Sequence, residues 1–433
     1  MSALTQWFNE RAPGLGAAYK KHMTEYYAPK NFNVMYYFGS LALLVLVNQI
    51  VTGIFLAMYY NPSSAGAFDS VQYIMRDVNW GWLVRYMHVT GASMFFVVIY
   101  LHMFRGLIYG SYKRPRELVW LLGMFIFLAL MAEAFMGYVL PWGNMSFWGA
   151  KVIITLFSAV PLIGDQLVTW IMGTVGSHGL FVPGDPTLNR FFALHVVALP
   201  LVLLLLVVLH LGALHEVGSN NPDGVDVKHG PKGNRWNPNA PADGIPFHPY
   251  YTLKDLVGVG VFLIICAIII FFEPSVGGFF IEHDNSIPAN PLVTPATIKP
   301  VWYFSPFYAI LRMIPSKGIG ALALLLSIVA LFAVPWLDRG KVKSVRYRGL
   351  SYKIAITVFA IVFLLLGAIG ADLTQGWIMG IFGVGAASAV SIEAMFGRTL
   401  VVLYFLFFVF LWVYTFFGLE KAKPVPERVT THE

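Results

Sequence analysis

The sequence predicts an all-α integral membrane protein: eight spanning helices in two groups, with short amphipathic helices lying on the outer side. Three observations carry this. Of 433 residues, 58% are hydrophobic and only 12% charged, and several runs approach the roughly twenty apolar residues needed to cross a bilayer. No apolar stretch alternates as a barrel strand does, which leaves helices as the way to satisfy the backbone in lipid. Of the 29 lysines and arginines, only Arg76, Arg85, Lys151, Arg190, Lys299, Arg312, Lys317 and Arg398 fall on the far side of the spans assigned below. That asymmetry follows the positive-inside rule and places both termini inside. The net charge of +7 is thereby accounted for by membrane topology, and no nucleic-acid partner is expected.

The start, MSALTQWFNERAPG, lacks an apolar core followed by a cleavage site, so no removable signal peptide is expected. After this amphipathic lead, the first span covers about Val34 to Met58 and carries Gly39 and Gly53, fourteen apart. The second, about Val84 to Ile108, returns inward with His88 and His102, also fourteen apart. At about 100° and 1.5 Å per residue, these histidines share one face at depths roughly 21 Å apart. The basic turn SYKRPRE leads to the third span, about Leu118 to Leu140, which stops at Pro141 and carries Gly123 and Gly137, again fourteen apart. Residues 142–190 are too broken by Gly and Pro to span and suit short surface helices. The fourth span, about Phe191 to Leu214, carries His195 and His210.

An imidazole is costly among lipid tails, and a lone one is as readily an interhelical hydrogen-bonding group as a ligand. Two pairs change that balance. The second and fourth spans run parallel, so His88 meets His195 near the outer side and His102 meets His210 near the inner side. Cys266, the single cysteine, excludes an intrachain disulfide, a thiolate-held iron–sulfur cluster and covalent CxxCH haem attachment. Two axial histidines per site without thiolate suit a low-spin haem better than zinc. Arg85 and Arg105 each lie one turn from a histidine, placed either to pair with haem propionates or to snorkel to the interface. The four glycines serve either close helix packing or clearance for a cofactor, and their sharing of the histidine interval favours clearance.

The inner loop, Glu216 to Pro249, is rich in Gly, Pro and Asn and is expected to be flexible between ordered ends. A fifth span, about Leu256 to Phe272, precedes an outer segment with a surface helix near Pro306 to Met313. Three further spans, about Ile319 to Trp336, Tyr352 to Gly370 and Leu400 to Leu419, carry no histidine. The chain thus divides into residues 1–249, a di-haem four-helix domain with its inner loop, and residues 250–433, a second four-helix domain.

The stretches GSLALLVLVNQIVTGIFLAMYY, RYMHVTGASMFF, FMGYVLPWGNMSFWGA, RFFALH, LHEVGSNNPDG, FHPYYTLKD and IKPVWYFSPFYAILR resemble the cytochrome b family, the di-haem core of the quinol–cytochrome c oxidoreductase or bc1 complex, over nearly the whole chain. The resemblance implies two non-covalent b haems. His88 and His195 would hold the low-potential one, His102 and His210 the high-potential one, and Gly39, Gly53, Gly123 and Gly137 would give the porphyrins room. It implies quinol oxidation outside, one electron passing through both haems to reduce quinone inside, and coupled proton translocation. It further implies a catalytic subunit active only within a complex, with a Rieske iron–sulfur protein, a cytochrome of c type, ubiquinol or a related quinol, and a homodimer.

His215, Ser219, Lys254 and Asp255 match the family's quinone-reduction site, where a histidine, a lysine and a carboxylate can bind carbonyls and deliver protons. Tyr138, Gly149, Pro300, Tyr303 and Tyr308 match its outer pocket. The family's outer motif is PEWY, whose glutamate is taken to accept a proton; here it reads PVWY, and Val301 cannot. Glu133, in the outer half of the third span, is the candidate replacement, its alternative being a structural hydrogen bond to a neighbouring helix; Glu273 and Glu282 are further candidates in a more solvated loop. His195 and His210 are fifteen apart, one more than in mitochondrial relatives, so a π-type bulge beside Pro200 is expected to absorb the extra residue. The long inner loop points to a bacterial rather than a mitochondrial inner membrane. Rival readings are a cytochrome b anchoring another dehydrogenase and a haem-free transporter that uses histidines as a proton relay.

Overall fold

The computed structural model describes residues 3–160, 162–173 and 182–430. Among them, eight helices are long and apolar enough to cross a membrane. The lead forms α1 (Ala3–Arg11) and α2 (Pro13–Tyr19), followed by a short strand β1 (Tyr27–Pro29). The first span is a 3-10 turn, Val34–Tyr36, running into α3 (Tyr37–Ala57). On the side that the charge asymmetry assigns as outer, a short helix, α4 (Ala67–Arg76), leads to α5 (Gly81–Tyr109) and then α6 (Glu117–Val139). The α5 helix ends at Gly110, whose φ of 64° and approach to the Lys343 carbonyl, 2.5 Å from where a Cβ would sit, leave no room for a side chain. The outer surface helices are α7 (Asn144–Leu156), α8 (Gly164–Met172) and α9 (Asp185–Ala193), with residues 161 and 174–181 of that segment outside the described set.

The fourth span is continuous from α9 through a π-helical turn, Leu194–Ala198, into α10 (Leu199–Val217). The expected bulge is therefore present, and it contains His195. Pro200 lacks an N–H, and widening the helix just ahead of it inserts one residue without breaking the span. The fifth span begins with a second π turn, Phe247–Tyr251, ahead of α11 (Thr252–Phe272). Then come α12 (Ser305–Met313) on the outer side and the spans α13 (Lys317–Leu337) and α14 (Leu350–Gly370).

Two features near the C-terminus differ from expectation. A short helix, α15 (Thr374–Phe382), was not anticipated, and α16 (Ala386–Phe416) starts at Ala386 rather than near Leu400. Ser391, Glu393 and Arg398 lowered the apparent hydropathy of that first part. In the fold, Glu393 is buried and held by Thr374, Gln375 and Arg312, so its polarity is satisfied inside the protein.

Helices α3 and α5 pack as one pair, α6 and α10 as another, and α12, α13, α14 and α16 form the second group. Polar side chains tie the first pair at mid-depth: Asn48 donates to the Met87 carbonyl and Gln49 to that of His88. The α11 helix, placed by sequence with the second group, packs on α5 and α3. One apolar cluster runs from Leu41 through Phe127 and Phe307 to Leu411 and joins both groups.

The inner loop is ordered at both ends, as expected. Its strand β2 (Gly244–Pro246) pairs antiparallel with β1, and Asn220, Asn221, Asp223 and Asp243 are buried. Asp243 takes Arg428 and Lys30, and Asp223 takes Arg346 and the Thr430 backbone N–H, so the C-terminal tail is strapped across the loop. Burial alone would raise the Asp243 carboxyl, but the hydrogen bonds from Arg428 and Lys30 hold it down at about 2. Hydropathy does not register the charge pairing that fixes these ends. Nearby, Asp338 binds Lys113 at 2.8 Å and the fully buried Arg348, which also binds Glu420. Burial pulls Lys113 down to about 8 although Asp338 opposes it.

Candidate functional site

The two histidine pairs meet as the spacing requires. An imidazole–metal bond of about 2.0–2.1 Å on both sides of one ion sets ring centres roughly 6.3 Å apart. The centres stand 6.2 Å apart for His88 and His195 and 6.4 Å for His102 and His210. The one-residue excess in the fourth span is absorbed by the π turn before both rings reach the partner helix. Each glycine of the two pairs faces a different ring. A Cβ on Gly39 would lie 3.4 Å from His102, on Gly53 3.2 Å from His88, on Gly123 3.3 Å from His210 and on Gly137 2.4 Å from His195. The glycines therefore seat the imidazoles as well as leave space beside them.

The nitrogens turned away from each pair's axis have unlike surroundings. His88 Nδ1 meets the Thr52 hydroxyl at 2.9 Å. His195 Nδ1 lies 2.9 Å from the backbone carbonyl of Glu133 and 3.0 Å from that residue's Oε1. His102 Nδ1 has the Arg105 guanidinium at 3.4 Å. His210 Nδ1 is buried and lies toward the Val119 backbone without closing a full hydrogen bond. Arg105 also donates to Ser111 and lies over the Tyr36 ring, yet its Nε is buried with no partner. Among the described residues neither Arg85 nor Arg105 has a carboxylate partner, so both remain available to an anionic group. Bis-imidazole spacing, small residues behind each ring and unpaired arginines at both ends fit two haems.

The outer histidines open into a cavity of about 430 Å³, which Gly53, Gly137, Arg85, Glu133, Tyr138, Val301 and Tyr303 also line. Glu133 is the only carboxylate among its described lining residues, and its Oε2 is buried without a partner. Tyr303 stacks on Phe96 with ring centres 4.0 Å apart, and its carbonyl accepts from Tyr100. Tyr138 accepts from Asn285, and Gly149 faces its ring, a Cβ there standing 3.9 Å away. Pro300 and Tyr308 lie outside the lining, with Tyr308 donating to the Ile298 carbonyl. Glu273 is exposed, and Glu282 pairs with Lys299. Sequence reasoning missed Asn285 and Thr52, whose roles depend on contacts across the chain.

Toward the inner side, His215 and Ser219 share one setting and Lys254 and Asp255 another. His215 Nδ1 lies 2.7 Å from His22 Nδ1, the Tyr26 ring stacks on His215 at 4.5 Å, and Tyr26 OH is 3.1 Å from Ser219 Oγ. Lys254 and Asp255 line a pocket of about 50 Å³ with Phe32, Asn33, Tyr36, Tyr37, Phe247 and Tyr251. Phe247 packs on both Tyr26 and Tyr251 and so joins the two settings. His22 and Tyr26 come from the N-terminal lead, which reads in sequence as an amphipathic prelude rather than part of a site.

Residues 23–218 match the family Cytochrome b/b6/petB, and residues 288–392 match Cytochrome b(C-terminal)/b6/petD. The chain is 54% identical over 429 residues to a protein named cytochrome b from Allochromatium vinosum, covering 98% of each. It is 54% identical over 366 residues to cytochrome b of Rhodospirillum rubrum, covering 84% of this chain and 85% of that one. A solved structure titled Hyperthermophilic respiratory Complex III superposes with a TM-score of 0.80 at 36% identity, covering 95% of this chain and 98% of that one.

Proposed function

The chain belongs to the cytochrome b family and is the core subunit of a quinol–cytochrome c oxidoreductase, and from that premise we propose how its own residues carry the reaction. His88 with His195 and His102 with His210 hold two b haems, which when bound supply one-electron transfer across the membrane. Arg85 and Arg105 would pair with their propionates, as planar guanidiniums do with carboxylates. The observation that carries the reading is that both histidine pairs stand at the separation a shared axial metal requires. In the unaltered protein, a reduced-minus-oxidised spectrum is expected to show two b-type components per chain. A spectrum without a b-type band overturns every electron-transfer reading of the site.

The outer cavity is the quinol-oxidation pocket, shaped by Tyr138 and Tyr303, with Gly149 behind the Tyr138 ring; Pro300 and Tyr308 act in it through the segment that carries Val301 and Tyr303. Val301 cannot take a proton there. Glu133 supplies the cavity's carboxylate, and its unpartnered Oε2 is the atom placed to receive one. Glu133→Gln is expected to slow quinol oxidation by about 10²–10⁴-fold, the usual contribution of a general base, with both haem bands retained. Near-normal turnover would remove Glu133 from that role.

Inside, His215, Ser219, Lys254 and Asp255 bind quinone and deliver protons to it. Oxidising outside and reducing inside moves charge through the low-dielectric layer, storing about 2.3 kcal/mol per charge per 100 mV. Residues 1–249 form the electron-carrying half, and residues 250–433 complete the quinone sites. The other electron of each quinol leaves for a Rieske iron–sulfur protein and then a c-type cytochrome subunit, because this chain, with a single cysteine, offers no iron–sulfur or covalent haem site of its own. The chain is catalytic only within that complex, a homodimer in a bacterial inner membrane with both termini on the cytoplasmic side.

A further inference from the structure

We infer that Glu133 holds the reduction potential of the outer haem below that of the inner one by presenting its carboxylate to the ligand His195; this rests on the haem reading above. An imidazole bound to iron through one nitrogen donates its other N–H, and the partner of that N–H sets how strongly the ring donates to the metal. An electron-rich partner strengthens the donation and favours the ferric state, which carries one more positive charge, so the potential falls. A cation nearby acts in the opposite sense.

The four ligands are graded in this respect. His195 Nδ1 has two oxygens of one residue beside it, the Glu133 carbonyl at 2.9 Å and the carboxylate Oε1 at 3.0 Å. His88 Nδ1 meets only the neutral Thr52 hydroxyl, which itself donates to the Asn48 carbonyl at 2.6 Å. On the inner pair, His102 has the Arg105 cation at 3.4 Å and His210 closes no full hydrogen bond. The anionic partner is therefore on the outer pair and the cationic one on the inner pair. That order draws electrons inward.

The carboxylate is not needed to hold the ring in place. The backbone carbonyl already takes the N–H, and any residue at position 133 has one. Gly137, one turn further along α6, presses the same ring from beside it. What Glu133 adds over another side chain is charge at 3.0 Å. Among the described residues, no lysine or arginine pairs with that carboxylate. It acts through His195, as a positioning residue for the metal's ligand field, in its charged form; a proton taken at Oε2 removes that charge and relaxes the effect until the proton leaves.

The test is an optical redox titration of the intact, haem-loaded complex carrying Glu133→Gln. The outer haem is expected to titrate at a higher potential while the inner one stays in place, so the gap between them narrows. Two haems with unmoved potentials would overturn the inference. If turnover alone fell, Glu133 would be left with proton transfer only, and the inference would likewise fail. Should the Gln variant lose the outer haem, the same comparison is made between Glu133→Asp and Glu133→Asn. These match in size and differ in charge: a lower outer potential in the Asp variant supports the proposal, and equal potentials overturn it. Absence of b-type bands from the unaltered protein would instead refute the haem reading on which this one depends.

Discussion

The outer and inner ends of the histidine bundle are built from the same parts to different ends. Outside, the space beside His88 and His195 continues without a wall to Val301 and Tyr303, in one cavity of about 430 Å³. Inside, the pocket of about 50 Å³ at Lys254 and Asp255 touches neither His102 nor His210. Tyr36 stands between, lining that pocket with one part and lying under Arg105 with another. On the proposed function, the outer end merges substrate space with cofactor space. The inner end keeps them apart behind aromatic side chains and a strapped loop. Electron donor and proton acceptor can therefore share one chamber outside, whereas inside they are set by separate groups of residues.

The largest test of this comparison removes one ligand at a time. His195→Leu is expected to abolish the outer haem and spare the inner one, and His210→Leu to do the reverse, with quinol–cytochrome c reduction lost in both. Optical spectra with and without each substitution decide it. If either variant lost both haems, the two ends would form one folding unit and the contrast would be broken.

A smaller effect is expected from the glycines behind the rings. A Cβ on Gly137 would stand 2.4 Å from His195 Cε1, whereas one on Gly39 would stand 3.4 Å from His102 Cε1. The first is an overlap and the second ordinary contact. Overpacking of this kind typically costs about 1–3 kcal/mol. Gly137→Ala should lower outer haem occupancy or shift its band, and Gly39→Ala should leave the inner haem nearly normal. Equal effects would mean that the rings move as freely at both ends.

What the sequence made legible follows from which forces leave a periodic mark. The spans, the paired histidines, their glycines and the need for a bulge near Pro200 were readable because hydropathy and helical spacing encode them directly. The π turn's position around His195, rather than at Pro200 itself, depended on how α10 meets α6. Glu133 was visible as an acid out of place in an apolar helix, but its contact with His195 was not, since that requires the rotation of one helix against another. The early start of α16 was hidden because Glu393 looks like a solvent residue until Arg312, Thr374 and Gln375 are seen around it. His22, Tyr26 and the partners that fix the ends of the inner loop were missed for a related reason: they rest on pairings between residues about two hundred positions apart.

That loop supplies the smallest effect and the one most particular to the inner end. Asp243 binds Arg428 and Lys30, and the backbone of Tyr26, next to β1, accepts from Phe247 just beyond β2, so one carboxylate helps fix the segment that brings His22 and Tyr26 to His215. Its carboxyl sits at about 2, below the usual aspartate value of roughly 3.9. A depressed value means that the docking it stabilises is fully present above that usual value and is lost as pH falls toward 2. Between pH 5 and 8 the tail should therefore stay docked, with no change traceable to Asp243. At pH 7, Asp243→Asn removes the charge without acid. Because Arg428 is half-exposed and solvent screens the pair, the expected effect is modest, a few-fold faster amide exchange across residues 425–430. Hydrogen exchange of the intact complex reads this directly, with both haem spectra expected unchanged. Exchange as slow as in the unaltered protein would show that Asp223, through Arg346 and Thr430, holds the strap alone.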